Sequence, residues 1–107
     1  MTETRIYVGL NDPISNDQKF ETEKYVGILE KVCANYGVAF SFSMSRGGYF
    51  YESGDFTLEN SLILTLIDAD KSKVNEIAKD LCAFFRKESV MVTENVVNAY
   101  YVNESLE

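Results

Sequence analysis

The fold is decided by residues 38–67, which read VAFSFSMSRGGYFYESGDFTLENSLILTLI. The first eight alternate large apolar side chains with alanine and serine, a period of two that indicates a β-strand with one apolar face. Ser53-Gly54-Asp55 is the strongest turn signal in the stretch, so the two halves are predicted to form a hairpin with its tip at Gly54. Gly47-Gly48 interrupts the first strand, and we expect a bulge or bend there.

Two helices and two further strands are predicted on either side of this hairpin. Apolar residues recur at spacings of three and four from about Phe20 to Tyr36, and again from Val74 to Phe85, which is typical of helices with one buried face. The stretch from Arg5 to Leu10 alternates as a strand does. Val90 to Thr93 is predicted as a last strand, and residues 97–102 either extend it or add a fifth.

The resulting order is βαββαβ, and right-handed crossovers place both helices on one face of the sheet. This order predicts an α+β fold, the ferredoxin-like plait, with an antiparallel sheet, two helices on one face and a long protruding hairpin. A chain of 107 residues suits one domain, and no linker or low-complexity segment divides it. We therefore expect a single domain over residues 1–107, with an ordered core over about 4–102.

The hairpin is longer than the helices can cover, since two helices of about 16 residues span roughly 25 Å. Its tip should protrude and carry the aromatic residues Tyr49, Phe50, Tyr51 and Phe56. Contiguous exposed aromatic side chains usually mark an interface or a ligand site. The sequence leaves three alternatives open: packing on the hairpin itself or on Tyr100 and Tyr101, an oligomer interface formed by these four residues, or a site for a foreign ligand or partner.

The charge of the chain disfavours nucleic-acid binding. Seventeen acidic residues against ten basic ones give a formal net charge of −7, which repels a phosphate backbone. Cys33 and Cys82 lie on the apolar stripes of the predicted helices and are expected to be reduced core residues. Because no signal-peptide pattern and no long apolar run is found, we expect a cytoplasmic protein without membrane contact, in the host cytoplasm if the chain is encoded by a phage.

The residue inventory argues against most catalytic chemistry. The chain has no histidine, which removes the commonest general base and metal ligand. The cysteines and carboxylates lack metal-ligand spacing, and Glu52, Glu59, Glu88 and Glu94 are explained by solvation near predicted strand ends. The sequence therefore predicts a protein that is not an enzyme, with no catalytic residues, no metal and no cofactor.

An anion site is predicted from the three arginines of the chain, each of which lies close in sequence to aromatic residues. A guanidinium beside an aromatic ring suits a nucleotide, because the phosphate accepts the forked N–H donors while the base stacks on the ring. The candidate ligand-binding residues are Arg5, Tyr7, Arg46, Tyr49, Tyr51, Arg86, Tyr100 and Tyr101.

Several short motifs resemble a family of short uncharacterised α+β proteins from bacteria and their phages. They are Arg5-Ile6-Tyr7-Val8-Gly9-Leu10, Gly48-Tyr49, Glu59-Asn60-Ser61-Leu62 and Glu88-Ser89-Val90. The resemblance covers most of the chain and supplies no catalytic residue that could be carried over. It implies a small accessory protein carried by a phage.

The leading hypothesis from these observations is a non-enzymatic, homo-oligomeric binding protein, a phage counter-defence factor that sequesters a nucleotide signal. A second hypothesis is a protein–protein inhibitor that binds a host defence effector through its acidic face or its aromatic hairpin. A third is an enzyme of the dimeric ferredoxin-like barrel type, in which two sheets enclose a pocket.

Overall fold

The computed structural model describes residues 1–105 of the chain. The elements follow one another as β1 (Thr2–Gly9), α1 (Thr22–Tyr36), β2 (Ser41–Phe50), β3 (Phe56–Ile67), α2 (Lys71–Phe85) and β4 (Met91–Val96). The strands form one sheet in the order β2-β3-β1-β4, and each neighbouring pair is antiparallel. The predicted ferredoxin-like plait of βαββαβ order is confirmed.

The hydrophobic core lies between the helices and one face of the sheet. Ile6 and Val8 of β1 and the three leucines of β3, Leu62, Leu64 and Leu66, are fully buried on that face. They pack against the apolar stripes of both helices, which contribute Leu29, Val32, Cys33, Val74, Ile77 and Leu81. Burial of each large aliphatic side chain contributes roughly 1.5–3 kcal/mol, so the alternation in β1 and β3 holds the helices on this side.

Both helices end in the same way, with a residue in the left-handed conformation. Gly37 follows α1 with a φ of 63°, and Arg86 follows α2 with a φ of 57°. In each case the next two backbone N–H groups bond to carbonyls of the last helical turn, as in a Schellman cap. Arg86 adopts this conformation although a side chain makes it costly, which fixes the direction in which the chain leaves α2.

The hairpin protrudes as predicted and turns where predicted. Strands β2 and β3 contain 10 and 12 residues, and the molecule measures 61 × 27 × 26 Å along its principal axes. At the tip, the Tyr51 N–H donates to the Asp55 carbonyl and the Gly54 N–H to the Tyr51 carbonyl, with Gly54 at a φ of 92°. Glycine suits this turn because it reaches positive φ without strain.

The predicted bulge at Gly47-Gly48 is wrong. The β2–β3 register runs through both glycines without a break, with Gly47 opposite Glu59 and Gly48 opposite Leu58. The second glycine makes room for a ring, since a Cβ at Gly48 would lie 2.5 Å from Cζ of Phe56. Gly48 therefore makes room for the Phe56 ring, and Gly47 leaves the surface open. Neither glycine changes the pairing of β2 with β3.

The predicted interruption of the last strand at Glu94-Asn95, and the strand over residues 97–102, are also wrong. β4 is continuous to Val96, and the described part of the chain has no strand after it. Beyond the end of β4, the N–H of Val97 donates to the carbonyl of Met1, and the amino group of Met1 donates to the carbonyl of Val97.

Neither described helix combines the length and apolar character needed to cross a membrane. The cytoplasmic location stays a prediction. The extent of the domain, 1–107 with an ordered core over about 4–102, also stays a prediction, and residues 106 and 107 lie outside the described part.

Candidate functional site

The sheet face opposite the helices is uncovered in the single chain. Alternate residues of each strand point to this side: Glu3 to Gly9 in steps of two from β1, Ser41 to Tyr49 in steps of two from β2, Glu59 to Ile67 in steps of two from β3, and Met91, Thr93 and Asn95 from β4. We call this surface the open sheet face. It mixes hydroxyl groups with Tyr7, Ile63 and Met91, so it is neither a normal solvated surface nor an apolar core.

A half-buried carboxylate stands out at the hairpin end of the open sheet face. The side chain of Glu59 lies flat over Gly9, where a Cβ would meet its Oε2 at 2.5 Å. Its Oε2 accepts the backbone N–H of Asn11 at 2.9 Å and lies 3.6 Å from Nζ of Lys87. The side chains of Glu59 and Lys87 are only 19% and 16% exposed, so this ion pair is better shielded than ordinary surface pairs.

These contacts join three parts of the chain. The Nζ of Lys87 also donates to the carbonyl of Asn11, and Nδ2 of Asn11 donates to the carbonyl of Leu58 at 3.1 Å. Asn11 follows β1, Glu59 belongs to β3, and Lys87 follows α2. We call Asn11, Glu59 and Lys87 the carboxylate clasp. Both of these contacts to Glu59 fall on Oε2, and Oε1 takes part in neither of them.

Two tyrosines stand beside the clasp on β2 and the hairpin tip. The hydroxyl groups of Tyr49 and Tyr51 lie 3.3 Å apart, and their rings meet edge to face with centroids 5.4 Å apart. The hydrogen bond to Tyr51, partial burial and the negative charge of Glu59 raise the pKa of Tyr49 to about 12. Tyr49 is therefore a neutral phenol at physiological pH, able to donate a hydrogen bond.

Gly47 leaves an open space between these groups. It lies directly opposite Glu59, and nothing stands within 4 Å of the place where its Cβ would be. We call this open surface, left because Gly47 has no side chain and with Glu59 and Tyr49 as its neighbours on the same face of the hairpin, the depression beside Gly47. A carboxylate, a phenol and aromatic rings together can bind a cation through charge and through the ring faces.

The structure brings together only some of the predicted ligand residues. Tyr49 and Tyr51 are neighbours, and Arg5 and Tyr7 share the open sheet face with them. Arg5, however, stands opposite Thr65, which at about 3.3 Å per residue is roughly 20 Å along β3 from Glu59. Arg5 instead forms an ion pair with Glu3 at 3.1 Å.

The remaining predicted ligand residues lie elsewhere. Arg46 is on the helix side of the hairpin, where Nη1 donates to Oδ1 of Asn60 at 3.0 Å. Arg86 caps α2, while Tyr100 and Tyr101 are more than three quarters exposed after β4. A single chain therefore does not assemble the eight residues into one anion site, and their role stays a prediction.

The four aromatic residues assigned to an oligomer interface pack in pairs on their own hairpin. The rings of Phe50 and Phe56 lie with centroids 5.1 Å apart, and Tyr49 pairs with Tyr51. Phe50 nevertheless remains 71% exposed and Phe56 55% exposed. Packing on the hairpin and contact with another copy are thus compatible, and the interface stays a prediction.

Glu59, Lys87 and Asn11 were missed by sequence reasoning as a site. The sequence predicts a solvated residue near a strand end at Glu59. The signal for it is a pair of glycines on the two neighbouring strands: Gly47 is paired with Glu59, and Gly9 lies beneath its carboxylate. That signal depends on the strand register, which alternation alone does not reveal.

Comparison with solved structures relates this chain to an enzyme. A phage SAM lyase in complex with S-methyl-5′-thioadenosine is 30% identical, with a TM-score of 0.69 over 88% of this chain and 79% of that one. The chain belongs to the phage SAM lyase family. A phage SAM lyase in the apo state is 27% identical, with a TM-score of 0.71 over 99% of this chain and 91% of that one.

Membership of the phage SAM lyase family confirms the resemblance to small phage proteins and overturns one prediction. The inference that the chain is not an enzyme is wrong, because these similar proteins are lyases. The missing histidine had suggested otherwise, but it argues only against reactions that need a general base, a metal or an activated nucleophile. A substrate whose leaving group is already activated needs none of these.

A more distant structure agrees in fold alone. The periplasmic divalent cation tolerance protein CutA from Archaeoglobus fulgidus is 11% identical, with a TM-score of 0.57 over 92% of this chain and 87% of that one. No protein-family model matches the chain, and no curated protein matches it by sequence.

Proposed function

We propose that this protein cleaves S-adenosylmethionine (SAM) to S-methyl-5′-thioadenosine, with Tyr49, Tyr51 and Glu59 in contact with the substrate. The observation that carries the proposal is the 30% identity, over 88% of the chain, to a phage SAM lyase whose structure holds S-methyl-5′-thioadenosine. In this proposal the ligand is an adenosine derivative, and the protein converts it instead of sequestering it.

The chemistry of SAM fits a site without histidine. Its sulfonium is a cationic leaving group: when the bond between sulfur and the four-carbon amino-acid fragment breaks, the electron pair stays on sulfur and yields a neutral thioether. No proton has to be donated to the leaving group. The protein's task is then to orient the substrate and stabilise its charges, which requires positioned groups more than reactive ones.

A lyase reaction adds no water. The carbon that loses sulfur must therefore form its new bond within the four-carbon fragment itself. Either the substrate's own carboxylate forms the new C–O bond, which gives a lactone, or a base removes a neighbouring C–H proton, which gives an unsaturated amino acid. Both routes balance without another reactant. The identity of the four-carbon product distinguishes them.

The carboxylate clasp and the tyrosines supply suitable contacts. Oε1 of Glu59 is available to the substrate ammonium while Oε2 is held by Asn11 and Lys87. The rings of Tyr49 and Tyr51 can contact the sulfonium through their faces, and the Tyr49 hydroxyl, with its raised pKa, remains a donor. Glu59 is paired with Gly47, and Tyr49, which contacts Tyr51, is the next residue of β2 on the same face.

A homo-oligomer is part of the proposal. In one chain the depression is exposed, and the open sheet face around it presents Tyr7, Ile63 and Met91. A second copy on this face would exclude water from the site and cover these side chains. The two alternative roles, counter-defence by the phage and inhibition of a host effector, stay predictions.

The experiment is direct. Purified protein is incubated with SAM in ¹⁸O-labelled water, and both products are identified by chromatography and mass spectrometry. We expect S-methyl-5′-thioadenosine and a four-carbon product released without label, before any slow lactone opening. Unchanged SAM would refute the proposed reaction, and label in the first product formed would indicate hydrolysis.

A carboxamide variant tests the site separately. Glu59→Gln keeps the size of the side chain and removes its charge, and we expect kcat/KM to fall by about 100-fold, a size usual for a group that contacts charge in the transition state. Glu94→Gln is the matched control, because Glu94 is exposed on β4 and points to the other side of the sheet. Equal activity of both variants would remove Glu59 from the site.

A further inference from the structure

Lys87 is a largely covered cation that the proposed reaction does not itself use. Its side chain is 16% exposed, and Nζ contacts both the Asn11 carbonyl and Oε2 of Glu59. A lysine is seldom this well covered unless it is paired, because its charge loses hydration on burial. Its two acceptors are the backbone and the carboxylate of the clasp.

The backbone directs Lys87 into this position. Arg86 adopts the left-handed conformation after α2, and the Lys87 N–H donates to the Cys82 carbonyl at 2.8 Å. This cap reverses the chain direction at the end of the helix. It sends the Lys87 side chain back towards the end of β1, where Asn11 and Glu59 meet.

We propose that Lys87 is a positioning residue for Glu59, a role that rests on the proposed function. Lys87 and the Asn11 N–H hold Oε2 from two directions, and Gly9 provides the flat surface beneath the carboxylate. Without Lys87, one N–H contact remains, and the carboxylate can rotate about its last bonds into water. The carboxylate is then no longer held over Gly9, and the position of Oε1 is no longer fixed.

A double-mutant cycle separates positioning from a general contribution to the fold. Lys87→Met is compared with the unmodified protein, and the double variant Lys87→Met/Glu59→Gln is compared with Glu59→Gln. If Lys87 acts through the Glu59 carboxylate, its loss should lower kcat/KM by about 10- to 100-fold in the first comparison. In the second comparison the loss should be less than about threefold, because the group it positions is gone.

Conservative replacements sharpen the test. Lys87→Arg retains a cation and should recover part of the activity, while Lys87→Gln keeps a donor for the Asn11 carbonyl without charge and should not. If Lys87→Met does not fold, Lys87→Gln is measured in the same two backgrounds under the same criterion.

The outcomes identify which proposal fails. If the unmodified protein does not cleave SAM, the proposed function and the role of Lys87 fail together. If it cleaves SAM but loss of Lys87 has the same effect in both backgrounds, only the positioning role is refuted. The proposal is supported if loss of Lys87 lowers kcat/KM in the unmodified protein and has almost no effect in the Glu59→Gln variant.

Discussion

The carboxylate of Glu59 occupies the space that a side chain at Gly9 would need, since a Cβ there would lie 2.5 Å from Oε2. Gly9→Ala should therefore displace the carboxylate without removing it or its partners. We expect kcat/KM for SAM to fall about 10-fold or more, because a shift of about 1 Å in a positioning group is enough for such losses. Steady-state kinetics with SAM measures the effect.

Folding should be little affected by Gly9→Ala, because the atoms that must move are the flexible end of the Glu59 side chain. The matched control is Gly27→Ala in α1, where nothing lies within 4 Å of the added methyl group. That control should keep its activity and gain up to about 1 kcal/mol from helix propensity. If both variants cleave SAM equally well, Glu59 does not depend on Gly9.

The adjacent glycines Gly47 and Gly48 should respond in opposite ways to the same substitution. Gly48→Ala places a methyl group against the Phe56 ring and should disturb the Phe50–Phe56 pair, at a cost of about 0.5–1.5 kcal/mol in the free energy of unfolding. Gly47→Ala meets no neighbouring atom and should leave that free energy within about 0.5 kcal/mol.

For catalytic activity, we expect Gly47→Ala to have the larger effect and Gly48→Ala the smaller one. Gly47 forms the floor of the depression opposite Glu59, so an added methyl group there should raise KM for SAM severalfold. Gly48 points to the other side of the hairpin, and its alanine variant should keep its KM. Denaturant unfolding and kinetics on the same two samples check both statements, which fail if the two variants behave alike.

How far the sequence could predict this protein depends on whether a feature is local. Three features depend only on neighbouring residues, and each is confirmed: the turn at Gly54, the end of α1 at Gly37, and the alternation in β1 and β3. The bulge at Gly47-Gly48 failed because a glycine pair looks the same whether it bends a strand or makes room for Phe56. Only the cross-strand neighbour decides between the two.

The site was harder to predict for the same reason. Asn11, Glu59 and Lys87 are separated by 48 and 28 positions, and nothing in their local sequence marks them as partners. The error about catalysis had a different origin. Absence of histidine argues against acid–base and metal catalysis, but a sulfonium leaves as a neutral thioether without acid or metal assistance.

The raised pKa of Tyr49 predicts a loss of stability in alkali. The hydrogen bond to Tyr51, partial burial and the charge of Glu59 raise this pKa from 10.0 to about 12. The folded state thus holds the phenolic proton more tightly than the unfolded state. Its contribution to stability is complete below pH 10 and is lost as the pH rises from about 10 to about 12.

Tyr51→Phe tests this assignment. It removes the main cause of the shift, so the pKa of Tyr49 should move back towards its ordinary value in a tyrosinate absorbance titration. Subtracting the titration of Tyr49→Phe isolates the residue. The alkaline fall in stability should begin as before in Tyr51→Phe but be smaller in extent, and an unchanged titration would show that Tyr51 does not control Tyr49.

The open sheet face predicts where copies of this protein meet. Ile63 lies at its centre, between Tyr7 of β1 and Ser43 of β2, and is half-buried in a single chain. Ile63→Lys would place a charge inside a covered face, which is costly unless a partner compensates it. In an isolated chain the same lysine can extend its ammonium into water at little cost.

We therefore expect Ile63→Lys to shift the native mass to that of one chain and to lower SAM cleavage, with far-ultraviolet circular dichroism unchanged. Phe84→Lys is the matched control, since Phe84 is 61% exposed on α2, on the opposite side of the molecule. It should keep the native mass and the activity. A native mass of one chain for the unmodified protein, with full SAM cleavage, would show that the depression beside Gly47 works without a second copy.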